Sequence, residues 1–231
     1  MLAMPASDLK RIAGERAARE VQSGMLVGLG TGSTAAQAIR ALATRQTTEK
    51  LRFRGLPTSR QTEQLARELD IPLVGFDDQA LPDLTIDGAD EVDPAGAMIK
   101  GGGGALLKEK VVAQHSQRLV IVADPAKRVA RLGEAFPLPV EVVPEVWKLI
   151  ARDLRELGAE PRLRLSDGQP YLTDNGNAII DAKFSAIPQP AALERQLNAR
   201  AGVVENGLFV DLLSLLVVGQ PEGAVVLSFE R

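Results

Sequence analysis

A chain of 231 residues, 45% of them hydrophobic, is long enough for one large domain or for a main domain with a smaller companion. Aromatic residues make up only 3%, so the core must rest on Leu, Val, Ile and Ala, a mixture that suits helices packed on a mostly parallel sheet. The 27 basic and 30 acidic residues leave a net charge of -3 with no cationic block, which argues against nucleic acid as a partner. With no cysteine there are no disulfides, thiolate metal sites or cysteine nucleophile, and a single histidine, His115, leaves a His-based metal centre or a Ser-His-Asp triad without its parts.

Near the start, Asp8, Lys10 and Arg11 stand where a signal peptide needs its apolar core, and no apolar run approaches about 20 residues. A soluble, cytoplasmic protein without membrane contact is expected. Leu9, Ile12, Ala13, Arg16, Ala17 and Val21 follow Ser7 at helical spacing up to Gly24, giving an amphipathic first helix. Met25 to Leu29 reads as a strand, and GLGTGSTAAQAIRALA follows it as a glycine-rich turn and a helix. Such a turn gathers free backbone N–H groups and the Thr31, Ser33 and Thr34 hydroxyls at a helix N-terminus, which suits a phosphate. A dinucleotide fingerprint needs glycine where Ser33 stands, and a Walker loop needs a lysine that is absent, so nucleotide binding is disfavoured. A purely structural turn capped by Ser33 or Thr34 stays open.

Leu51 to Leu56 and Leu73 to Phe76 read as strands, with a helix between them capped by Thr58 or Ser59. Leu84 to Ile86 is a buried-strand signal running into Asp87, at the strand end where α/β sheets place ligands. Ala97 to Ile99 reads as one more strand, bringing Lys100 and the run Gly101 to Gly104 to that same sheet edge. In the helix after Ala105, Glu109 has Ala105, Val112 and Ala113 at i-4, i+3 and i+4, which points it inward; a solvated charge between Lys108 and Lys110 is the alternative. Leu119 to Ala123 is a β-branched strand ending in ADPAKR, where Lys127 reads equally as a phosphate ligand or a surface lysine.

After about Arg131 the pattern becomes strand, helix, two strands and a helix: PVEVV, Glu145 to Leu157, Arg162 to Leu165, a strand after the Asn175-Gly176 turn, and Ala191 to Ala199. The expected fold class is α/β, a Rossmann-like, mostly parallel sheet flanked by helices, with a smaller inserted α+β domain. Residues 1–131 and 207–231 would form the Rossmann-like domain and 132–206 the smaller one, with Gly207 to Phe229 rejoining the main sheet.

A carboxylate pair, a lysine with a glycine run, an inward carboxylate and an anion-binding turn fit proton transfer on a small phosphorylated molecule, because a base removes a proton beside a carbonyl only when donors hold the enolate oxygen. GLGTGSTA, DGADEVD, MIKGGGGALLKEK, ADPAKR, FPLPVEVVP and TDNGN, in this order, resemble the type A ribose-5-phosphate isomerases across almost the whole chain. That resemblance implies interconversion of ribose 5-phosphate and ribulose 5-phosphate in the pentose phosphate pathway through an enediolate, with no cofactor and no metal, by a homodimer or larger assembly. It makes Glu109 the proton shuttle, gives Asp87 the ring opening and hydroxyl protons with Asp90 nearby, and gives Lys100 the enediolate oxygens. Thr31, Gly32, Ser33, Thr34, Gly88, Ala89, Gly101, Gly102, Gly103, Lys127 and Lys10 would bind substrate. Ala126 departs from the serine that the family places before this lysine. A sugar-phosphate sensor is the runner-up, but it gives Glu109 no purpose; a metal-dependent phosphotransferase built on DGADEVD fails on ligand spacing.

Overall fold

The computed structural model describes residues 4–78 and 80–230. In chain order the elements are α1 (Ala6–Ala18), β1 (Leu26–Leu29), α2 (Ser33–Thr48), β2 (Arg54–Pro57), α3 (Arg60–Glu68), β3 (Leu84–Gly88), β4 (Glu91–Val92) and β5 (Met98–Ile99). There follow α4 (Leu106–His115), β6 (Leu119–Ala123), β7 (Leu138–Val142), α5 (Trp147–Glu156), β8 (Glu160–Leu163), β9 (Leu165–Ser166), β10 (Gln169–Pro170) and β11 (Ala178–Lys183). The chain ends with α6 (Pro190–Asn198), β12 (Val203–Asn206), β13 (Leu208–Phe209), β14 (Leu215–Gln220) and β15 (Gly223–Ser228).

Two compact units result, one from residues 1–89, 108–127 and 212–231 and the other from residues 90–107 and 128–211. The first holds a six-stranded sheet in the order β15-β14-β6-β3-β1-β2. Every neighbouring pair in it is parallel except β14 with β15. Its central strands are buried on both faces, which is why LVGL, LTI and LVIVA read as continuous apolar runs rather than alternating ones. Val120, Ile121 and Val122 are fully buried, each worth about 1.5–3 kcal/mol relative to exposure. Helix α1 closes this core with Ala13, Ala17 and Ala18, whose small side chains let it lie against α2 and β14.

The second unit has its own core, centred on Leu138, Val140, Ile150, Leu154 and Ile180. A four-stranded antiparallel sheet, β12-β7-β11-β8, carries α5 and α6, and a three-stranded sheet, β13-β5-β4, holds the glycine run. No described helix is long and apolar enough to cross a membrane.

Several sequence expectations need correcting. Ala97 to Ile99 does not add a strand to the parallel sheet: β5 (Met98–Ile99) pairs antiparallel with β4 and β13, and residues 90–107 belong to the second unit. The rejoining segment likewise splits, since β13 stays in the second unit and only β14 and β15 enter the six-stranded sheet. Leu73 to Phe76 makes a single bridge, Leu73 with Gly55, rather than a strand.

Glu20 joins α1 to the start of β6 by accepting from Arg16 (2.8 Å) and Arg118 (2.9 Å). Burial acts to raise its pKa, but the two guanidinium hydrogen bonds outweigh burial and hold it below the ordinary value of 4.5. A lowered folded pKa means that the carboxylate contributes stability above pH about 4.5 and loses it as acid protonates it in the fold. Unfolding curves of Glu20→Gln should therefore fall below wild type near pH 7, by at most a few °C for an ion pair worth about 1 kcal/mol, and the gap should close as the pH drops below about 4.5. A gap that persists unchanged at pH 3 would show that charge is not its source.

Candidate active site

In the first unit, the carboxyl ends of the adjacent parallel strands β1, β3 and β6 carry the glycine-rich turn, Asp87 and the Lys127 segment to one edge. The turn leads straight into α2. Gly32 at its N-cap has φ +105 and offers no side-chain cap, so the first-turn amides of α2 are left to an external acceptor such as phosphate. Ser33 is exposed there and its Oγ accepts from Lys10 Nζ at 2.9 Å, which sets the predicted Lys10 at the mouth of the turn. Thr34 lies beside it, half-buried in the same first turn. Lys127 ends a short 3₁₀ turn, Pro125–Lys127, after β6, where Ala126 and Lys127 donate their backbone N–H groups to Asp124.

Thr31 is tied to the segment after β2. Its side chain is buried among Thr58, Ser59 and Thr62, with Oγ1 2.8 Å from the first two hydroxyls and 3.2 Å from the third. Thr62 donates to the Gly30 carbonyl and Thr58 to the Leu29 carbonyl, so the cluster clamps the turn from behind. The Thr31 N–H is also committed, donating to Asp87 Oδ1 at 3.0 Å. Asp87 is fully buried and accepts from the Gly88 N–H at 2.7 Å through the same oxygen. Glycine is required opposite it, because a Cβ at Gly30 would fall 2.2 Å from Asp87 Oδ1. The glycine-rich turn and the acid are thereby one rigid piece, with Ala89 just beyond it.

Glu109 is buried, 3% exposed, with Val112 and Ala113 buried on the same helix. The solvated alternative is therefore ruled out by burial, and the spacing on α4 had pointed the right way.

In the second unit, Lys100 is 2% exposed, its Nζ 5.2 Å from the centroid of the Phe209 ring and its N–H bonded to the Gly207 carbonyl. Gly101 (φ +99) and Gly104 (φ +82) close a turn through Gly104 N–H to Gly101 O at 3.0 Å, a backbone that non-glycine residues rarely adopt. Asp90 Oδ2 accepts the Gly102 N–H at 2.8 Å, and Gly103 is exposed at the loop's tip.

Some supporting residues were not singled out from sequence. Glu91, beside Asp90, is 1% exposed and accepts the backbone N–H groups of Gly133, Ala135 and Phe136 at 2.6, 2.8 and 2.6 Å. Arg164 binds the carbonyls of Gly101 and Gly102. Tyr171 Oη lies 3.4 Å from the Gly103 carbonyl; burial raises its phenol above the ordinary value, which keeps it a donor. Glu141 is fully buried in β7 and its Oε1 gathers Thr173, Asn175 and Asn177, so TDNGN is a turn pinned by an internal acceptor. Of these, Glu141 carried a sequence signal, a charge in the otherwise apolar run LPVEVV.

The family model described as ribose 5-phosphate isomerase A (phosphoriboisomerase A) matches residues 54–223. A ribose-5-phosphate isomerase A of Cereibacter sphaeroides (strain ATCC 17025 / ATH 2.4.3) is 51% identical over 230 residues, covering 96% of this chain and 91% of its own. Among solved structures, a ribose 5-phosphate isomerase A from Methanocaldococcus jannaschii is 42% identical at a TM-score of 0.92, covering 97% of this chain and 100% of its own. A D-ribose-5-phosphate isomerase in complex with phospho-erythronic acid is 39% identical at a TM-score of 0.95, with the same two coverages. The buried Glu109 and the clamped glycine-rich turn accompany these near full-length likenesses, and the chain belongs to the ribose 5-phosphate isomerase A family.

Proposed function

We propose that the protein interconverts D-ribose 5-phosphate and D-ribulose 5-phosphate through an enediolate, with Glu109 as the proton shuttle. The observation that carries this reading is the Thr31 N–H bond to Asp87, which fixes an acid against a phosphate-binding turn. Ser33, Thr34, Lys10, the Gly32 turn and Lys127 hold the phosphate. Asp87 moves the hydroxyl protons during ring opening. Glu109 takes the C2 proton and returns it to C1, a transfer that needs a base held beside the carbon and little else. Lys100 and the glycine amides stabilise the oxygen that becomes negative, with Asp90 bracing the loop. Phospho-erythronic acid, bound by a relative, is a phosphorylated hydroxy acid whose carboxylate has the planarity and charge of such an oxygen pair. The reading extends to self-association as a homodimer or larger assembly and to a cytoplasmic location.

The test is a coupled assay with ribose 5-phosphate in excess EDTA, run beside other pentose and hexose phosphates. Turnover of ribose 5-phosphate that survives chelation is expected. Binding without turnover would convert the protein into a sugar-phosphate sensor, and activity lost on chelation and restored by a divalent ion would point to the metal chemistry set aside above.

A further inference from the structure

A run of four glycines is intrinsically free backbone, since glycine loses the most conformational freedom on ordering. Yet an oxyanion site works only if its donors are already aimed. Something outside the loop must hold it.

Arg164 is placed to do so. Its side chain is only 15% exposed, and its guanidinium is itself gripped in a two-point pair with Asp181, Nε to Oδ2 at 2.9 Å and Nη2 to Oδ1 at 2.5 Å. That fork fixes the plane of the group and leaves Nη1 to donate to the carbonyls of Gly101 (3.1 Å) and Gly102 (3.0 Å). In a trans peptide the N–H points opposite to the C=O, so pinning two successive carbonyls on one cation turns the Gly102 and Gly103 N–H groups the other way. The Gly102 N–H is taken by Asp90 at 2.8 Å. The Gly103 N–H has no acceptor among the described residues, and Gly103 is exposed. A cation on the carbonyl side also polarises both peptide units, strengthening their N–H groups as donors in a partly buried setting.

We propose that Arg164, locked by Asp181, is a positioning residue for the isomerisation: it aims and polarises the Gly102–Gly103 amides so that the Gly103 N–H serves as an oxyanion donor. This rests on the isomerase reading above. A mere stabilising ion pair would hold the second unit together without favouring charge on a reacting oxygen, and the two roles separate in kinetics.

The experiment compares wild type, Arg164→Gln and Arg164→Lys with ribose 5-phosphate as substrate and with phospho-erythronic acid and inorganic phosphate as inhibitors. Loss of an aimed oxyanion donor should lower kcat of Arg164→Gln by about 10²-fold with KM within about threefold. Inhibition by phospho-erythronic acid should weaken while inhibition by inorganic phosphate stays as in wild type. Arg164→Lys, which keeps the charge and loses the fork, should fall between the two. If Arg164→Gln does not fold, Arg164→Lys decides alone: a kcat lowered by about tenfold at unchanged KM supports the proposal, and a wild-type kcat overturns it. A wild-type kcat in Arg164→Gln, or a loss confined to KM and thermal midpoint, also overturns it. A wild type inactive on ribose 5-phosphate would overturn the isomerase reading and this proposal together, whereas an active wild type with an undiminished Arg164→Gln sinks this proposal only.

Discussion

Glu109→Gln should lower kcat on ribose 5-phosphate by about 10²–10⁴-fold, the usual contribution of a positioned acid-base group, equivalent to about 3–5 kcal/mol of barrier. The substitution preserves shape and hydrogen-bonding reach while removing the proton-accepting charge. Because Glu109 is 3% exposed on α4, water cannot readily stand in for it. The glycine-rich turn proposed to hold the phosphate lies between β1 and α2, on a different element from Glu109, so ribose 5-phosphate should still raise the thermal midpoint of the variant. Single-turnover kinetics beside thermal shift measurements would separate the two effects. Near-normal turnover would remove Glu109 from the mechanism, and loss of the ligand-induced shift would make it a binding group instead.

The first unit was largely legible because its signals are local. A four-residue apolar strand, a glycine turn and a helix are consecutive in sequence and remain so in β1 and α2. Glu109 could be turned inward from its neighbours at i-4, i+3 and i+4 alone. The Ser59 cap was also local, accepting the Thr62 N–H at 3.1 Å.

What escaped is what depends on distant partners. Strand β5 has two residues, too few for any period, and its neighbour β13 lies more than a hundred positions later, so nothing nearby announced its sheet. That the Thr31 hydroxyl faces Thr58, Ser59 and Thr62 follows only once β2 is set beside β1. Arg164 and Glu141 act on groups 17 to 63 positions away; in sequence Glu141 is a lone charge in an apolar run, and Arg164 is one of several charges in EPRLRLSD.

Glu91 shows what such hidden residues contribute. Its carboxylate is the acceptor for three backbone N–H groups of the 133–136 loop, and Lys183 Nζ meets the Gly133 and Glu134 carbonyls of the same loop at 2.8 and 2.7 Å. The loop carries Phe136, whose Cζ would lie 3.0 Å from a Cβ at Gly102, so it backs the glycine run that Asp90 and Arg164 also hold. Glu91→Ala deletes the acceptor and strands the donors, of which Gly133 is buried. Hydrogen bonds to a charged group contribute about 1.5–3 kcal/mol each, and their loss is not additive, so a destabilisation of about 3–5 kcal/mol is expected. For a chain of this size that lowers the thermal midpoint by about 10 °C. Hydrogen exchange should locate the damage, with the amides of Gly133, Ala135 and Phe136 losing protection before those of β1 or β6. A midpoint within 2 °C of wild type, or exchange that rises first in the six-stranded sheet, would mean that Glu91 does not hold this loop.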